Sequence, residues 1–403
     1  MTNQIPERKR FAVLLHEGRH CLEDIRSPRV KVLPADVAAT TKHEAMVIPA
    51  SHAPDLFERL QSLPDEALKR TRTGRSKLVL DASQEGRDHD PTWTAGIHDL
   101  LEARGVPLSE VIYVTQNRAF ADDYAAYRRE RGFGPGMKVV IFDYWLRAVA
   151  RQHDADGEAE FEARLTAFRA RGRRRPWRFL SLNWTLRPTK TLFLLRLIED
   201  GLFERGAISV QPIVRRLWKL ERNQLGRPDF HDLNARLAPL LPRLRELSGS
   251  VFRTDKADPK LGQVLDDPLP QYGQTWFSVA TETEMTDRPL RITEKPLKPL
   301  LNFHPLLVFG NPGALRLLRD YGFQTFGGLF DESYDEEPEP RRRFEMVYDE
   351  VRRLCAMDQA DLDRLERNLE ETLIFNAHHA LVEMPRRFRR QLDPKLVGEL
   401  LDA

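Results

Sequence analysis

Cysteine is scarce in this chain of 403 residues, which has only Cys21 and Cys355, far apart in sequence. A disulfide framework or a zinc site built from cysteines needs more thiolates at closer spacing, so both are excluded. No apolar run approaches the roughly 20 residues of a membrane-spanning helix. The basic N-terminal residues are not followed by the apolar segment of a secretory signal, so we expect a cytoplasmic location.

An excess of charge of one sign is missing as well, because 63 basic and 61 acidic residues leave a formal net charge of +2. A nearly neutral chain has no strong overall field to attract nucleic acid or a membrane surface. Internal repeats and long low-complexity tracts are also absent. With 41% hydrophobic and 31% charged residues, the composition is typical of a globular protein long enough for two domains.

Short apolar runs alternate with helical patterns in both halves of the chain. In the first half we predict strands at 10–18, 76–83, 110–117 and 137–145, and helices at 92–105 and 120–132 that end on glycines. In the second half we predict strands at 177–183, 207–213, 275–283 and 304–310, and a helix at 189–206. This rhythm is typical of parallel sheets, so the predicted fold class is α/β with two Rossmann-like domains and a helical C-terminal segment.

The predicted segments are an N-terminal α/β domain at 1–150, a charged linker at 151–176, a second α/β domain at 177–335 and C-terminal helices at 336–403. The chain from Arg164 to Arg178 contains seven arginines and no acid. Three interpretations of this run stay open. In the first, the run contacts nucleic acid, with Trp177 stacking on a base. In the second it binds an anionic acceptor, and in the third it pairs with the acidic segment 331–340. The small net charge favours the last two.

A polar loop follows the predicted strand that ends at Asn183. Arg187 and Lys190 lie in this loop and at the start of the next helix. Ligands of open α/β sheets bind at the carboxyl ends of strands, and helix N-terminal N–H groups with two cations there form a diphosphate clamp. The alternative is a solvated basic loop.

A second polar segment follows the strand that ends near Glu282. Thr293 is the predicted N-cap of a short helix, with Glu294 and Lys295 in its first turn. A carboxylate suits the helix dipole there, but a lysine does not unless an anion is bound nearby. At a crevice beside strand ends, the carboxylate fits ribose hydroxyls and the ammonium fits a phosphate. The alternative role of Glu294 is to interact favourably with the helix dipole.

These segments together resemble the donor half of two-domain GT-B glycosyltransferases, in particular fucosyltransferase-like and exostosin-like bacterial enzymes of polysaccharide synthesis. The resemblance rests on the strand ending in Glu282, the Thr-Glu-Lys triplet at 293–295, the His-Pro strand with its Gly-x-Pro-Gly turn, the loop at 181–190 and the segment 322–335. It implies that Glu294 binds the donor ribose and that Lys295 and Arg187 bind its phosphates. The nucleotide sugar is then a donor substrate, and no cofactor is expected. Trp184 and Thr185 depart from the family, in which this loop is more basic.

The N-terminal domain should then bind the acceptor and supply a base. An inverting transferase needs one carboxylate to take the proton of the acceptor hydroxyl. Glu85, in the polar loop after the strand at 76–83, is the predicted base, and Asp81 is the alternative. Gln116, Asn117 and His16 are the predicted acceptor-binding residues. Asn117 has the alternative role of capping the helix that follows it.

A metal ion is not expected. Asp-x-Asp pairs occur at 154–156 and 361–363, but neither follows a predicted strand, so we interpret both as solvated helix faces. Arginine and lysine would then neutralise the leaving diphosphate. The sequence thus predicts a metal-independent, inverting glycosyltransferase that moves a sugar from a nucleotide sugar to a carbohydrate or other hydroxyl acceptor. The alternatives are a nucleic-acid-binding module that uses 164–178 and a non-catalytic transferase-like scaffold.

Overall fold

The computed structural model describes residues 11–15, 30–34, 43–50, 53–183, 186–210, 228–248, 269–288, 290–390 and 398. The chain divides into two compact units, one formed by 1–147 with 387–403 and the other by 148–386. The predicted segment boundaries at 150, 176 and 335 stay predictions. No helix of the described ranges is long and apolar enough to cross a membrane.

The first unit is built on a parallel sheet with the strand order β2-β1-β3-β4-β5-β6. The strands are Phe11–Leu15 (β1), Val30–Pro34 (β2), His43–Pro49 (β3), Ser76–Ala82 (β4), Val111–Thr115 (β5) and Lys138–Ile141 (β6). The helices of the N-terminal half are Ala53–Ser62 (α1), Asp65–Arg72 (α2), Pro91–Ala103 (α3), Phe120–Arg131 (α4) and Tyr144–Gln152 (α5).

Local sequence accounts for the helices between the central strands. The Asp90 carboxylate accepts hydrogen bonds from Thr92 N at 2.8 Å and Trp93 N at 3.0 Å, which caps α3. Helix α4 ends at Gly132, whose φ of 65° lies in the left-handed region. Every residue of β4 and β5 is buried, as expected for parallel strands covered on both faces. The predicted α/β pattern of this half is confirmed between 76 and 141.

The second unit contains a parallel sheet whose described strands have the order β10-β9-β7-β8. The strands are Phe179–Asn183 (β7), Gly206–Val210 (β8), Phe277–Thr281 (β9) and Leu306–Phe309 (β10). The helices are Gly157–Arg169 (α6), Pro188–Glu199 (α7), His231–Leu237 (α8), Leu241–Ser248 (α9), Glu294–Leu301 (α10), Ala314–Asp320 (α11), Pro340–Ala356 (α12), Gln359–Asn368 (α13), Glu370–His378 (α14) and Met384–Arg390 (α15), with a π-helical segment at His379–Glu383.

Helix α7 is shorter than predicted. It ends at Glu199, Gly201 adopts a φ of 65°, and a 3-10 turn leads into β8 at Gly206. The prediction of a helix over 189–206 was therefore wrong in its last turns. Gly201, rather than Gly206, supplies the left-handed residue that stops the helix.

The chain reverses its direction of winding between β7 and β9. These strands are neighbours, and β8 and β10 lie on opposite sides of them. Helix α7 leads from β7 and α10 leads from β9, so both helices begin at the carboxyl ends of adjacent strands. In open α/β sheets this reversal of strand order leaves a crevice, which is where ligands bind.

Side chains connect the carboxyl ends of these two strands. The backbone register pairs Phe179 with Phe277 and Leu180 with Ser278. Beyond these pairs, Thr281 Oγ1 donates a hydrogen bond to Asn183 Oδ1 at 2.5 Å. Asn183 is the last residue of β7, which confirms its predicted place at the end of a strand. It is completely buried, and its side chain fixes the edge of the crevice.

Candidate functional site

The first turn of α7 forms one side of the candidate site. Arg187 is the N-cap residue, in an extended conformation, and its side chain does not cap the helix. Pro188 occupies the first helical position, and the first turn contains no acid. The backbone N–H groups at such a helix end carry a partial positive charge and favour an anion.

Lys190 lies in this first turn and is only 4% exposed. Within the described residues, its amine makes no hydrogen bond or ion pair. Burial lowers the pKa of Lys190 to about 7, and the nearby charges of Lys295 and Arg187 act in the same direction against the carboxylates of Glu294 and Glu282. A buried amine without a carboxylate of its own is costly to charge, so this position favours an anionic ligand.

The first turn of α10 forms the other side. Thr293 caps this helix, because its Oγ1 accepts from Lys295 N at 3.2 Å, and it also donates to Glu282 Oε1 at 2.6 Å. The predicted N-cap is confirmed. Lys295 Nζ lies 3.0 Å from Glu294 Oε1 and 3.6 Å from Glu282 Oε2. One ammonium is therefore held between two carboxylates.

The pKa values of this group reflect the arrangement. Burial alone would lower the pKa of Lys295, but Glu294 and Glu282 more than offset that effect and raise it to about 12. Burial would raise the pKa of Glu294, but Lys295 and Lys298 hold it at about 2. Lys295 and Glu294 are therefore both charged at neutral pH.

This geometry corrects one step of the sequence argument. A lysine in the first turn of α10 was expected to need an external anion, but Glu294 and Glu282 already supply that charge to Lys295. Lys190, at the start of the neighbouring helix α7, is a buried lysine that has no ion pair with a carboxylate among the described residues. The predicted donor-binding residues are nevertheless brought together at the carboxyl ends of β7 and β9.

A small pocket adjoins Glu282. Its lining includes Glu282, Glu284, Arg291 and Asn311. Glu282 Oε2 and Glu284 Oε2 are buried and accept no hydrogen bond within the described part of the chain. A Cβ added at Gly310 would lie 3.1 Å from Glu282 Cγ, so the glycine gives the carboxylate room. A cation lies within ion-pair distance of each oxygen, Lys295 Nζ at 3.6 Å from Glu282 Oε2 and Arg291 Nη2 at 3.5 Å from Glu284 Oε2. Both oxygens keep the capacity to accept a hydrogen bond from a hydroxyl group of a ligand.

Arg343 is a positioning residue that the sequence analysis missed. It is 1% exposed, and it donates through Nε to Gly310 O at 2.9 Å and through Nη2 to Thr286 O at 2.5 Å. It thereby joins the loop after β9 to the turn after β10. A signal was available, because Arg343, Val347 and Val351 share one face of α12 at helical spacing and all three are buried.

The first unit places the other predicted residues at the carboxyl ends of β4 and β5. Glu85 is exposed in the turn after β4. Asp81 is buried, and its Oδ1 accepts from Ser83 N at 3.0 Å. Gln116 Nε2 donates to Gln84 O at 2.8 Å, which leaves its buried Oε1 without a donor from the described residues.

Asn117 shapes the backbone that leads into α4. Its Nδ2 donates to Arg87 O at 3.0 Å, and its Oδ1 accepts from Ala119 N at 3.0 Å. The N-cap residue of α4 is Ala119 and no side chain caps this helix, so the alternative in which Asn117 caps it was wrong, and Asn117 instead holds the turn before the helix. His16 lies outside the described residues, as do Trp184 and Thr185.

The arginine run folds into the second unit. Arg175 forms an ion pair with Glu366, donates to Thr275 O at 2.7 Å and lies 4.1 Å above the Trp276 ring. Arg171 donates to two further backbone carbonyls, Asn302 O at 2.6 Å and Phe303 O at 3.0 Å. These arginines hold loops of their own unit.

The acidic segment 331–340 has other partners. Glu332 lies 3.3 Å from an Arg319 nitrogen, and Glu337 lies 3.0 Å from one of Arg342. Across the described ranges, no ion pair joins this segment to the arginines of 164–178, which argues against the interpretation in which the two segments pair. Arg164 and Arg175 are buried, and Trp177 packs against the core around Leu180, which weakens the nucleic-acid interpretation.

Both Asp-x-Asp pairs lie away from strand ends, as predicted, but the interpretation as a helix face holds for 361–363 and was wrong for 154–156. Asp361 and Asp363 are on α13, with Arg364 and Arg367 at 2.9 and 2.5 Å. The other pair, at 154–156, lies in the turn between α5 and α6. The described residues contain no group of three or more histidine, cysteine, aspartate or glutamate side chains that could hold a metal ion.

Comparison with models of known protein families finds no match, and neither does comparison with curated proteins. Among solved structures, the chain is similar to the N-terminal domain of trehalose-6-phosphate phosphatase from Candida albicans. That match covers 100% of this chain and 98% of the other, at 8% identity and a TM-score of 0.46. It is also similar to a UDP-forming α,α-trehalose-phosphate synthase from Burkholderia vietnamiensis. There the coverage is 90% and 73%, at 11% identity and a TM-score of 0.43. The function is therefore argued from the site alone, and the fucosyltransferase- and exostosin-like resemblance stays a prediction.

Proposed function

We propose that this chain is a glycosyltransferase that takes its sugar from a nucleotide-sugar donor bound in the second unit, at the carboxyl ends of β7 and β9. The observation that carries the proposal is Lys190, a buried amine at the start of α7 without a partner among the described residues. A diphosphate supplies the negative charge that this position favours. The reversal of strand order at β7 and β9 independently marks the same place.

The proposed roles follow from the contacts. Arg187, Lys190 and the first N–H groups of α7 hold the diphosphate. Glu282 accepts a hydroxyl of the ribose or sugar through Oε2, which lacks a donor within the described chain. Glu294, predicted to bind ribose directly, acts in this proposal by keeping Lys295 charged and fixed beside the donor.

In the proposed reaction, the acceptor hydroxyl oxygen forms a bond to the anomeric carbon of the donor as the bond from that carbon to the diphosphate oxygen breaks. The acceptor proton passes to a carboxylate of the first unit, for which Glu85 is the proposed base and Asp81 the alternative. The diphosphate departs with an additional negative charge, which Arg187 and Lys190 offset. The donor is a substrate, and the reaction is inverting and independent of metal.

Donor hydrolysis and transfer by the full-length protein, measured over a panel of nucleotide sugars, test this proposal. We expect slow hydrolysis of at least one donor, and about a hundredfold loss in E85Q with donor affinity retained. A non-catalytic scaffold would bind donor without turnover in wild type and variant alike. Failure to bind or hydrolyse any donor would contradict the proposed function.

A further inference from the structure

We propose that Lys190 takes up a proton when an anion binds at the first turn of α7, so that donor binding and protonation are one coupled event. This inference rests on the proposed function and concerns the regulation of the same site.

The first support is that two neighbouring lysines, Lys295 and Lys190, differ in their contacts with carboxylates. Lys295 is held between Glu294 and Glu282, at 3.0 and 3.6 Å. Lys190 is 4% exposed and forms no such contact within the described residues. It belongs to the first turn of a helix of 12 residues whose N-cap side chain, that of Arg187, leaves the N–H groups uncapped.

The second support is the charge that surrounds Lys190. Among the described residues, the charged groups with the largest effect on it are Lys295 and Arg187, which are cations, and Glu294 and Glu282, which are carboxylates. Two cations already balance two carboxylates before Lys190 is counted. A proton on Lys190 therefore adds an uncompensated charge to a buried site, and the ligand-free site favours the neutral amine.

Ligand charge reverses this preference. Burial lowers the pKa of the free Lys190 to about 7, and a bound anion raises it. The protonated form binds, so affinity is constant well below pH 7. Affinity declines above pH 7, by up to about tenfold per pH unit, until the pKa of the bound state is reached. A leaving diphosphate, which has more negative charge than the intact donor, strengthens the hold of Lys190 on the proton.

Sulfate is a suitable probe because its charge does not change between about pH 6 and 10. Its affinity for the full-length protein is measured by thermal shift at constant ionic strength, with chloride replaced by sulfate. We expect the wild-type affinity to be flat below about pH 6.5 and to fall at least tenfold from pH 7 to 9. K190R has a permanent charge and should bind with no such slope, and K190M should bind weakly throughout. K69M, a change at an exposed lysine of α2, should follow the wild type.

A flat wild-type profile, or an equal slope in K190R, would overturn the inference, and so would equal sulfate binding by K190M and wild type. A measurement without variants is calorimetry of nucleoside diphosphates at pH 8.5 in buffers of different ionisation enthalpy. It should show uptake of about one proton per ligand. Diphosphate binding without uptake would overturn the coupling and leave the proposed function intact. Sulfate binding with the expected slope, but no nucleotide binding, would refute the proposed function and support the coupling.

Discussion

The ammonium of Lys295 lies 3.0 Å from the carboxylate of Glu294, its neighbour in sequence, and the two form a partly shielded ion pair in the first turn of α10. Glu282, from the end of β9, closes the other side of the ammonium. The lysine of the Thr-Glu-Lys triplet thus has its carboxylate partners within the protein. In the proposed site, the residue whose charge a bound anion would balance is Lys190, on α7.

The Glu294–Lys295 pair should make stability depend on acid. The pKa of Glu294 is lowered to about 2 from its ordinary value of 4.5, so its contribution to stability is complete above pH 4.5 and is lost as the pH falls towards 2. We expect E294Q to lower the free energy of unfolding at pH 7 by about 2 kcal/mol, with the difference disappearing near pH 2. Urea unfolding followed by circular dichroism across this range measures it.

The matched control for E294Q is E371Q, at an exposed glutamate of the same unit. It should change the free energy of unfolding by less than about 0.5 kcal/mol. An equal effect of the two substitutions, or a loss in E294Q that does not depend on pH, would show that the ion pair contributes nothing.

Removal of Lys295 should destabilise the protein. In K295M, the carboxylates of Glu282 and Glu294 lose the cation between them, which we expect to cost about 3 kcal/mol. K295R keeps the charge and should retain most of the stability. Thermal unfolding of both variants measures this, and a melting temperature of K295M equal to that of wild type would contradict the structural role of Lys295.

Arg343 and Arg342 are adjacent on α12 but differ in burial. Arg343 is 1% exposed and donates to several carbonyls, whereas the side chain of Arg342 is 74% exposed and faces Glu337. We expect R343M to lower the free energy of unfolding by at least about 3 kcal/mol, because the carbonyls it serves lose their donor. R342M should cost less than about 1 kcal/mol. Chemical denaturation of both variants decides, and similar losses would refute the positioning role.

The arginine run offers a similar pair. Arg175 is buried against Glu366 and Trp276, and Arg174 is exposed. We expect R175M to lose about 3 kcal/mol of stability and R174M less than about 0.5 kcal/mol. If the run instead bound nucleic acid, R174M would weaken a binding that also falls steeply with salt. Filter binding at two salt concentrations tests that outcome.

Several features of the site were accessible from sequence because they depend on local order. The rule that ligands of α/β sheets bind at strand carboxyl ends led to Asn183, Lys190 and Glu282, and helix-start chemistry led to Thr293. The structure places Asn183 at the end of β7, Glu282 directly after β9 and Lys190 in the first turn of α7, and Thr293 caps α10.

Other features depend on contacts between distant segments. Glu282, directly after β9, contacts Lys295, in the first turn of α10. A loop separates the two residues in sequence, so no local pattern predicts this contact. The burial of Lys190 results from packing around α7, which no pattern within 188–199 specifies. Strands β2 and β3, of five and seven residues, were missed as well. Such properties become visible only when the fold assembles.

The most direct test of the central claim is the binding of nucleoside diphosphates to the full-length protein, measured by isothermal calorimetry at pH 7. We expect at least one nucleoside diphosphate to bind the wild-type protein. Its affinity for K190M should be at least about tenfold lower, and its affinity for K69M should be unchanged. A protein that binds none of them, or whose K190M variant binds as tightly as the wild type, would contradict it.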